Sequence, residues 1–405
     1  MLVGRLFRGD SNLVVVSGER SASPPSIGCS DLGAPTLHLP YPRLRGYRLG
    51  IAPLLGGLSA AWLAWALVRV LRFFRSQRVS HVVSIPHSGP FALLGLLAAR
   101  RLRVPHTLYI LDAWEEAATG PVEAAFVRRG LRLAARMPRS RLAVVSPTLG
   151  AHYRRAFGFG DVTWIPNPGP LPGEQITSAS QANATCFALF TGVIKPFNIE
   201  ALRLVMRSLR ECRVVGKLVI TGHASISSFA DPLRPGPDDR IECRLCSPAE
   251  ISALQRQAAV LLVATNVDDR SQTALGYLPG RLPEYVSTRR PILLLGPADS
   301  DAARAVRHWH VGETTASRDE RELAKLLDAC ALRAINPPLE ANLTRHDLFL
   351  EVFSRGEARR RLLGETPDEP LSSAAATLAA SFELLSGDAH DGADAEAVLS
   401  PTTPT

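Results

Sequence analysis

Hydrophobic and polar positions along this chain fall into two alternating series. Between His81 and Asn167, four β-rich runs stand out: His81-Val-Val-Ser-Ile-Pro86, His106-Thr-Leu-Tyr-Ile-Leu-Asp112, Arg141-Leu-Ala-Val-Val-Ser146 and Asp161-Val-Thr-Trp-Ile-Pro-Asn167. Stretches of helical period near 90–101, 121–137 and 147–157 separate them. Short connections between alternating strands and helices predict parallel strands joined by right-handed crossovers, in a doubly wound sheet. Upstream, Asn12-Leu-Val-Val-Val-Ser-Gly18 reads as a second strand, and no first strand with a glycine-rich turn is recognisable before it.

Residues 169–185, rich in Pro, Gly, Ser, Thr and Gln, interrupt the series as a linker does, and the pattern then restarts. Runs at 186–192, 217–222, 240–245, 260–265 and 291–296 alternate with helical stretches near 196–211, 248–258, 281–289 and 299–309. Three of these strands end in or beside glycine, which lets a ligand approach the backbone at the carboxyl edge of a parallel sheet. A helix near 318–331 is followed by a basic amphipathic helix from Asp347 to Leu363. The resulting division is a first domain over 1–168, the linker, a second domain over 186–345, a C-terminal helix over 346–364 that packs back on the first domain, and an acidic tail over 365–405. The tail has few large apolar residues and is expected to be mostly disordered, with one short helix around Ala375–Leu385.

Charge sharpens this division. The chain of 405 residues carries +8, yet the tail holds eight carboxylates and no Lys or Arg, so residues 1–364 carry +16. Such an excess attracts phosphates or an anionic membrane surface, while the absence of any base-reading module argues against nucleic acid. Six cysteines are too sparse for a disulfide framework, and no secretory leader is recognisable at Met1–Asp10, so a cytoplasmic protein is expected. Cys243-Arg-Leu-Cys246 has zinc-like spacing but no companion pair, and no metal is expected. The uncharged stretch Ile51–Val68 is borderline in length for a bilayer and contains Pro53, Gly56 and Gly57. Followed by Arg69, Arg72, Arg75 and Arg78, it reads as a buried or interfacial helix, with peripheral membrane contact left open.

Three passages narrow the chemistry. Val145-Ser-Pro-Thr-Leu-Gly-Ala-His-Tyr153 with Val162-Thr-Trp-Ile-Pro-Asn-Pro-Gly169 resembles the close of the first domain in glycosyltransferase family 4, whose members have the two-domain fold called GT-B. Leu189-Phe-Thr-Gly-Val-Ile-Lys-Pro-Phe-Asn-Ile-Glu-Ala-Leu202 is similar to the opening strand and helix of that family's donor domain. Pro279-Gly-Arg-Leu-Pro-Glu-Tyr-Val-Ser-Thr-Arg-Arg-Pro-Ile292, the most specific of the three, resembles its nucleotide-binding segment. The resemblance covers roughly residues 80–365. It implies an α/β protein with two Rossmann-like, doubly wound parallel-sheet domains facing across a cleft.

Site residues follow from the chemistry and the resemblance together. A helix starting near Arg281 offers unpaired amides to a diphosphate, Gly280 lets the phosphate come close, and Arg281 adds a permanent, bidentate cation. One turn in, Glu284 is placed to accept from two ribose hydroxyls, the role that the resemblance gives the matching glutamate. Lys195, after the Gly192 turn, resembles the family's phosphate-gripping base, and the backbone at Gly222 lies on the same edge. In the first domain, His87 and Asp112 follow strands at the cleft edge as candidates to deprotonate an acceptor hydroxyl, with Trp114 a candidate to stack on a sugar ring. One departure is clear. Many family members carry a second glutamate eight positions before the first, and here that position is Gly276. The donor sugar therefore stays open.

The leading expectation is transfer of a sugar from a nucleoside diphosphate sugar, with no other cofactor and no metal, to a hydroxyl on a glycan or lipid-linked acceptor in envelope or exopolysaccharide assembly. Two alternatives stand beside it: a nucleotide-sugar epimerase of the same fold, which needs a cluster of cleft acids and histidines, and a degenerate nucleotide-sugar-binding scaffold.

Overall fold

The computed structural model describes residues 13–19, 34–40, 52–85, 89–116, 121–169, 185–192, 194–222, 233, 236, 240–335, 341–363 and 370–388. In the first half, β3 (Val82–Ser84), β4 (His106–Ile110), β5 (Ser140–Val144) and β6 (Val162–Trp164) form a parallel sheet in that order. The crossovers are α2 (Gly89–Leu102), α3 (Pro121–Arg136) and α4 (Pro147–Phe157). A separate parallel pair, β1 (Val15–Glu19) and β2 (Thr36–Pro40), precedes α1 (Ala52–Ser76). Helix α4 shows why these boundaries form. Ser146 accepts the Leu149 amide as N-cap, Pro147 occupies the first turn, and Gly158 ends the helix at φ 76°.

The second half is a six-stranded parallel sheet ordered β12-β11-β10-β7-β8-β9. Its strands are β7 (Thr185–Thr191), β8 (Lys217–Gly222), β9 (Ile241–Leu245), β10 (Ala258–Ala264), β11 (Ile292–Leu295) and β12 (Glu313–Thr315). All seven residues of β10, Ala-Ala-Val-Leu-Leu-Val-Ala, are buried, as a central strand covered on both faces requires. The helices are α5 (Pro196–Ser208), α6 (Pro248–Gln257), α7 (Gln272–Leu275), α8 (Leu282–Ser287), α9 (Asp301–His308) and α10 (Glu320–Ile335). Because the chain reverses direction across the sheet between β7 and β10, a crevice opens at their carboxyl ends. The glycine turns that follow β7 and end β8 lie at this edge.

Two expectations need correction near the C-terminus. The single helix expected over 347–363 is two: α11 (Ala341–Val352) and α12 (Arg355–Leu363). They break where Phe353 is fully buried, Gly169 donates its amide to the Phe353 carbonyl at 2.7 Å, and Ser354 caps the Glu357 amide at 3.1 Å. The turn returns the chain to the first domain, where Ala358 and Leu362 enter the core. The tail is also more structured than expected over its first half. Helix α13 (Ser373–Asp388) buries Ala375, Ala379 and Phe382 in a core shared by both domains, with Phe382 4.8 Å from the Trp309 ring and 5.2 Å from Trp164 of β6. Among the described residues, no helix is long and apolar enough to cross a membrane.

Candidate functional site

The crevice is built outward from the end of β7. Gly192 has φ 111° and donates its amide to the Thr221 carbonyl at 2.8 Å. A Cβ there would lie 2.6 Å from Nη2 of Arg281, so only a residue without a side chain allows the guanidinium to lie over this turn. Arg281 also sits 4.5 Å above the Phe190 ring. Its Nη1 is buried and has no hydrogen-bond partner among the described residues. The segment is fastened from below: the Tyr285 hydroxyl accepts the Thr191 amide at 3.0 Å and bonds the Thr191 hydroxyl at 3.0 Å, tying α8 to β7. Sequence reading missed Tyr285. An aromatic one position after Glu284 carries no signal beyond an apolar helix position until its partner strand is known.

Glu284 lies in the first turn of α8, half-buried, and accepts from Nε2 of the buried Gln255 at 3.3 Å. The helix supplies fewer backbone donors than expected. Leu282 donates its amide to the Pro279 carbonyl at 2.9 Å, and Pro283 has no N–H. Positive potential at this edge therefore rests more on side chains than on the helix start. Gly280 borders open space, with no atom within 4 Å of where a Cβ would be. Gly222 is buried at the end of β8, its carbonyl accepting the Cys246 amide at 3.1 Å.

Across the crevice, Asp112 follows β4 and reaches Lys195, with Oδ2 and Nζ 3.7 Å apart and both side chains about half exposed, at 51% and 50%. Lys195 also lies 5.6 Å from the Phe197 ring, which meets Tyr277 edge-on at 5.3 Å. Burial raises the Tyr277 phenol above its ordinary range, with Arg281 pulling it down and Asp112 pushing it further up. The structure thus brings Asp112, Lys195, Gly192 and Arg281 to one place from three parts of the sequence. His87 lies outside the described residues. Trp114 is in the wrong environment for a sugar platform: it is 5% exposed within the first domain's core. Its short apolar–acidic context hides the reason, which is that Tyr153 accepts the Trp114 amide at 2.9 Å and draws the residue inward.

The loop after Trp114 is held by acids that the sequence did not single out. Glu115 accepts from the Tyr153 hydroxyl at 2.5 Å and bonds the His152 ring; burial raises its carboxyl, but these bonds outweigh burial and hold it below the usual range. Glu116 reaches into the second domain and accepts the Gln272 and Thr273 amides at 2.8 and 2.9 Å, capping α7. The nearby Gly276 has a steric reason. A Cβ there would lie 2.5 Å from Cγ of Leu149, so a glutamate at this position does not fit this docking of the domains.

No protein-family profile and no curated protein sequence matches the chain. Solved structures do. The Anabaena protein Alr3699/HepE, in complex with UDP and glucose, superposes with a TM-score of 0.60 at 14% identity over 87% of this chain and 98% of its own. UGT89C1 of Arabidopsis thaliana, complexed with UDP-L-rhamnose, gives 0.50 at 12% identity over 93% and 94%. A glycosyltransferase from Rickettsia africae ESF-5 gives 0.50 at 10% identity over 81% and 84%. These matches extend over both domains, and the chain has the α/β fold with two parallel sheets of GT-B glycosyltransferase structures.

Proposed function

We propose that this protein is a glycosyltransferase that moves a sugar from a nucleoside diphosphate sugar to a hydroxyl on a glycan or lipid-linked glycan acceptor. The observation that carries this reading is Arg281. A guanidinium with an unspent, buried donor is costly to maintain, and it sits beside a glycine turn at the sheet's switch point, where a diphosphate is the matching anion. Glu284, steadied by Gln255, takes the ribose hydroxyls. UDP is the first nucleotide to test, since the similar structures from Anabaena and Arabidopsis are complexes with UDP and glucose and with UDP-L-rhamnose.

In this reading catalysis is mostly positioning and charge. Arg281 and Lys195 neutralise the departing diphosphate, which is the larger part of stabilising such a transition state. The half-exposed Asp112–Lys195 pair is worth little by itself and exchanges readily. When donor phosphate recruits Lys195, Asp112 is released to take the proton of the acceptor hydroxyl, with His87 the second candidate base.

The test is nucleotide-dependent stabilisation of the purified protein by UDP, GDP, ADP and pyrophosphate, alongside Glu284→Ala. Ligand that binds only the folded state raises its melting temperature. One nucleotide is expected to stabilise selectively, and the variant is expected to bind it ~10- to 100-fold more weakly, the loss of hydrogen bonds to a charged group. Equal stabilisation of the variant would remove Glu284 from the site. No stabilisation by any nucleotide would remove the donor-site reading itself.

A further inference from the structure

The first domain has a second strongly cationic feature outside the cleft constellation. Helices α1, α2 and α3 pack side by side and carry nine arginines, no lysine and one carboxylate, Glu123. All nine arginines are exposed, and none makes an ion pair among the described residues. In the second domain, by contrast, several exposed arginines find carboxylates, as in Arg207–Glu320 at 2.5 Å, Arg270–Asp299 at 3.1 Å and Arg333–Glu313 at 2.7 Å.

On α3, Arg128, Arg132 and Arg136 recur every four residues on one face, with Arg129 beside them. With Arg100 of α2 they line an open groove of about 660 Å³ floored in part by Leu133. Like charges at this spacing oppose one another, so the stripe does not serve helix stability. On the adjoining α1 the exposed face changes character along its length. Ala61, Ala64, Trp65 and Val68 are followed by Arg69, Arg72 and Arg75. Trp65 and Val68 are 43% and 49% exposed, and the Arg69 guanidinium stacks 5.1 Å from the Trp65 ring. Exposed tryptophan and aliphatic surface bordering a field of arginines matches the layered chemistry of a bilayer interface, apolar below and phosphate above. A nucleic acid or a soluble polyanion has no use for Val68.

We propose that the outer face of α1–α3 docks this protein on a bilayer rich in anionic phospholipid, with the arginine groove between α2 and α3 seating headgroup phosphates and Trp65 entering the interface. The proposal goes beyond the transferase reading and does not depend on it.

Vesicle flotation with the full chain tests it, using phosphatidylcholine alone and phosphatidylcholine mixed with phosphatidylglycerol. Binding is expected to the mixed vesicles only, and to weaken as salt rises. The quadruple variant Arg128→Gln, Arg129→Gln, Arg132→Gln, Arg136→Gln is expected to lose partitioning about fivefold per charge, more than a hundredfold together. A charge-matched control in the second domain, Arg210→Gln, Arg256→Gln, Arg321→Gln, Lys325→Gln, is expected to keep most of it. Trp65→Ala is expected to weaken binding while leaving the salt dependence unchanged. Circular dichroism melting checks that each variant is folded. Absence of binding by the wild type, an equal loss in both quadruple variants, or displacement from vesicles by free phosphate or a short RNA in preference to lipid would each overturn the assignment.

Discussion

At Gly192 a side chain is excluded twice, by a φ of 111° and by the guanidinium of Arg281, 2.6 Å from where a Cβ would stand. The two constraints have different consequences. Left-handed strain in a Gly→Ala change costs about 1–3 kcal/mol of stability, which a two-domain chain tolerates. Displacing Arg281 is expected to weaken nucleotide binding, because the guanidinium loses both its stacking on Phe190 and its place over the turn. Gly192→Ala is therefore expected to remain folded and to bind the selected nucleotide at least about tenfold more weakly, a loss of roughly 1.4 kcal/mol. Isothermal titration beside a melting curve separates the two effects. A variant with native affinity would show that the Arg281 position is not set by this turn. At this scale the positions that the structure brings together at the end of β7, Gly192, Lys195 and Arg281, were legible because backbone geometry or charge marks them. They were not legible where the role depends on a distant partner. Tyr285 bonding Thr191, Gln255 bonding Glu284 and Glu116 capping α7 all pair residues far apart in the chain. Trp114 failed for the same reason: its burial follows from Tyr153, 39 positions away.

Elements were read most reliably where a continuous apolar run or a complete cap marks them. Strand β8 and helix α4 fall on the positions expected from sequence, because Gly222 and the Ser146–Gly158 caps bound them chemically. Strands β2 and β12 were missed. Thr36-Leu-His-Leu-Pro and Glu313-Thr-Thr are short edge segments whose hydrogen bonds, and not their composition, make them strands. Helix α13 was underestimated because its apolar positions are mostly alanine, so one large residue dominates its docking. Phe382 is fully buried among Trp164, His308 and Trp309. Phe382→Ala is expected to destabilise the protein by about 3–5 kcal/mol, the usual result of opening an aromatic-sized cavity. Urea unfolding measures it. A cost below about 1 kcal/mol would mean that α13 is an accessory to the fold and not part of its core.

Across the whole molecule, the cleft is bounded by contacts that cross from one domain to the other. Asn167 donates to the Leu278 carbonyl at 2.7 Å, Glu116 caps α7, and Asp301 at the start of α9 accepts the Thr148 amide at 2.9 Å and its hydroxyl at 2.7 Å. Asp301 is fully buried, and burial pushes its carboxyl above the ordinary aspartate range even though the Thr148 donors hold it down. Thr148→Val removes the hydroxyl donor and leaves the carboxylate less satisfied, a cost of about 1.5–3 kcal/mol when the group is charged. The pH dependence follows from the direction of the shift. A carboxyl whose folded value lies above its unfolded value favours folding fully below the unfolded value, about 3.8, and that contribution is lost as pH rises through the folded value. Removing a donor raises the folded value further, so the penalty of Thr148→Val is expected to be small in acid and to grow toward neutral pH. Part of it should appear as separation of the domains, since the interface gives way before either core does. Urea midpoints for wild type and variant at pH 4 and pH 7, with small-angle scattering at each, read both effects. The expected pattern is a midpoint difference that widens with pH and a radius of gyration that increases in the variant at neutral pH. A constant difference would place the loss in packing instead of charge, and an unchanged radius would mean that the remaining contacts at Glu116 and Asn167 suffice to hold the cleft as it stands.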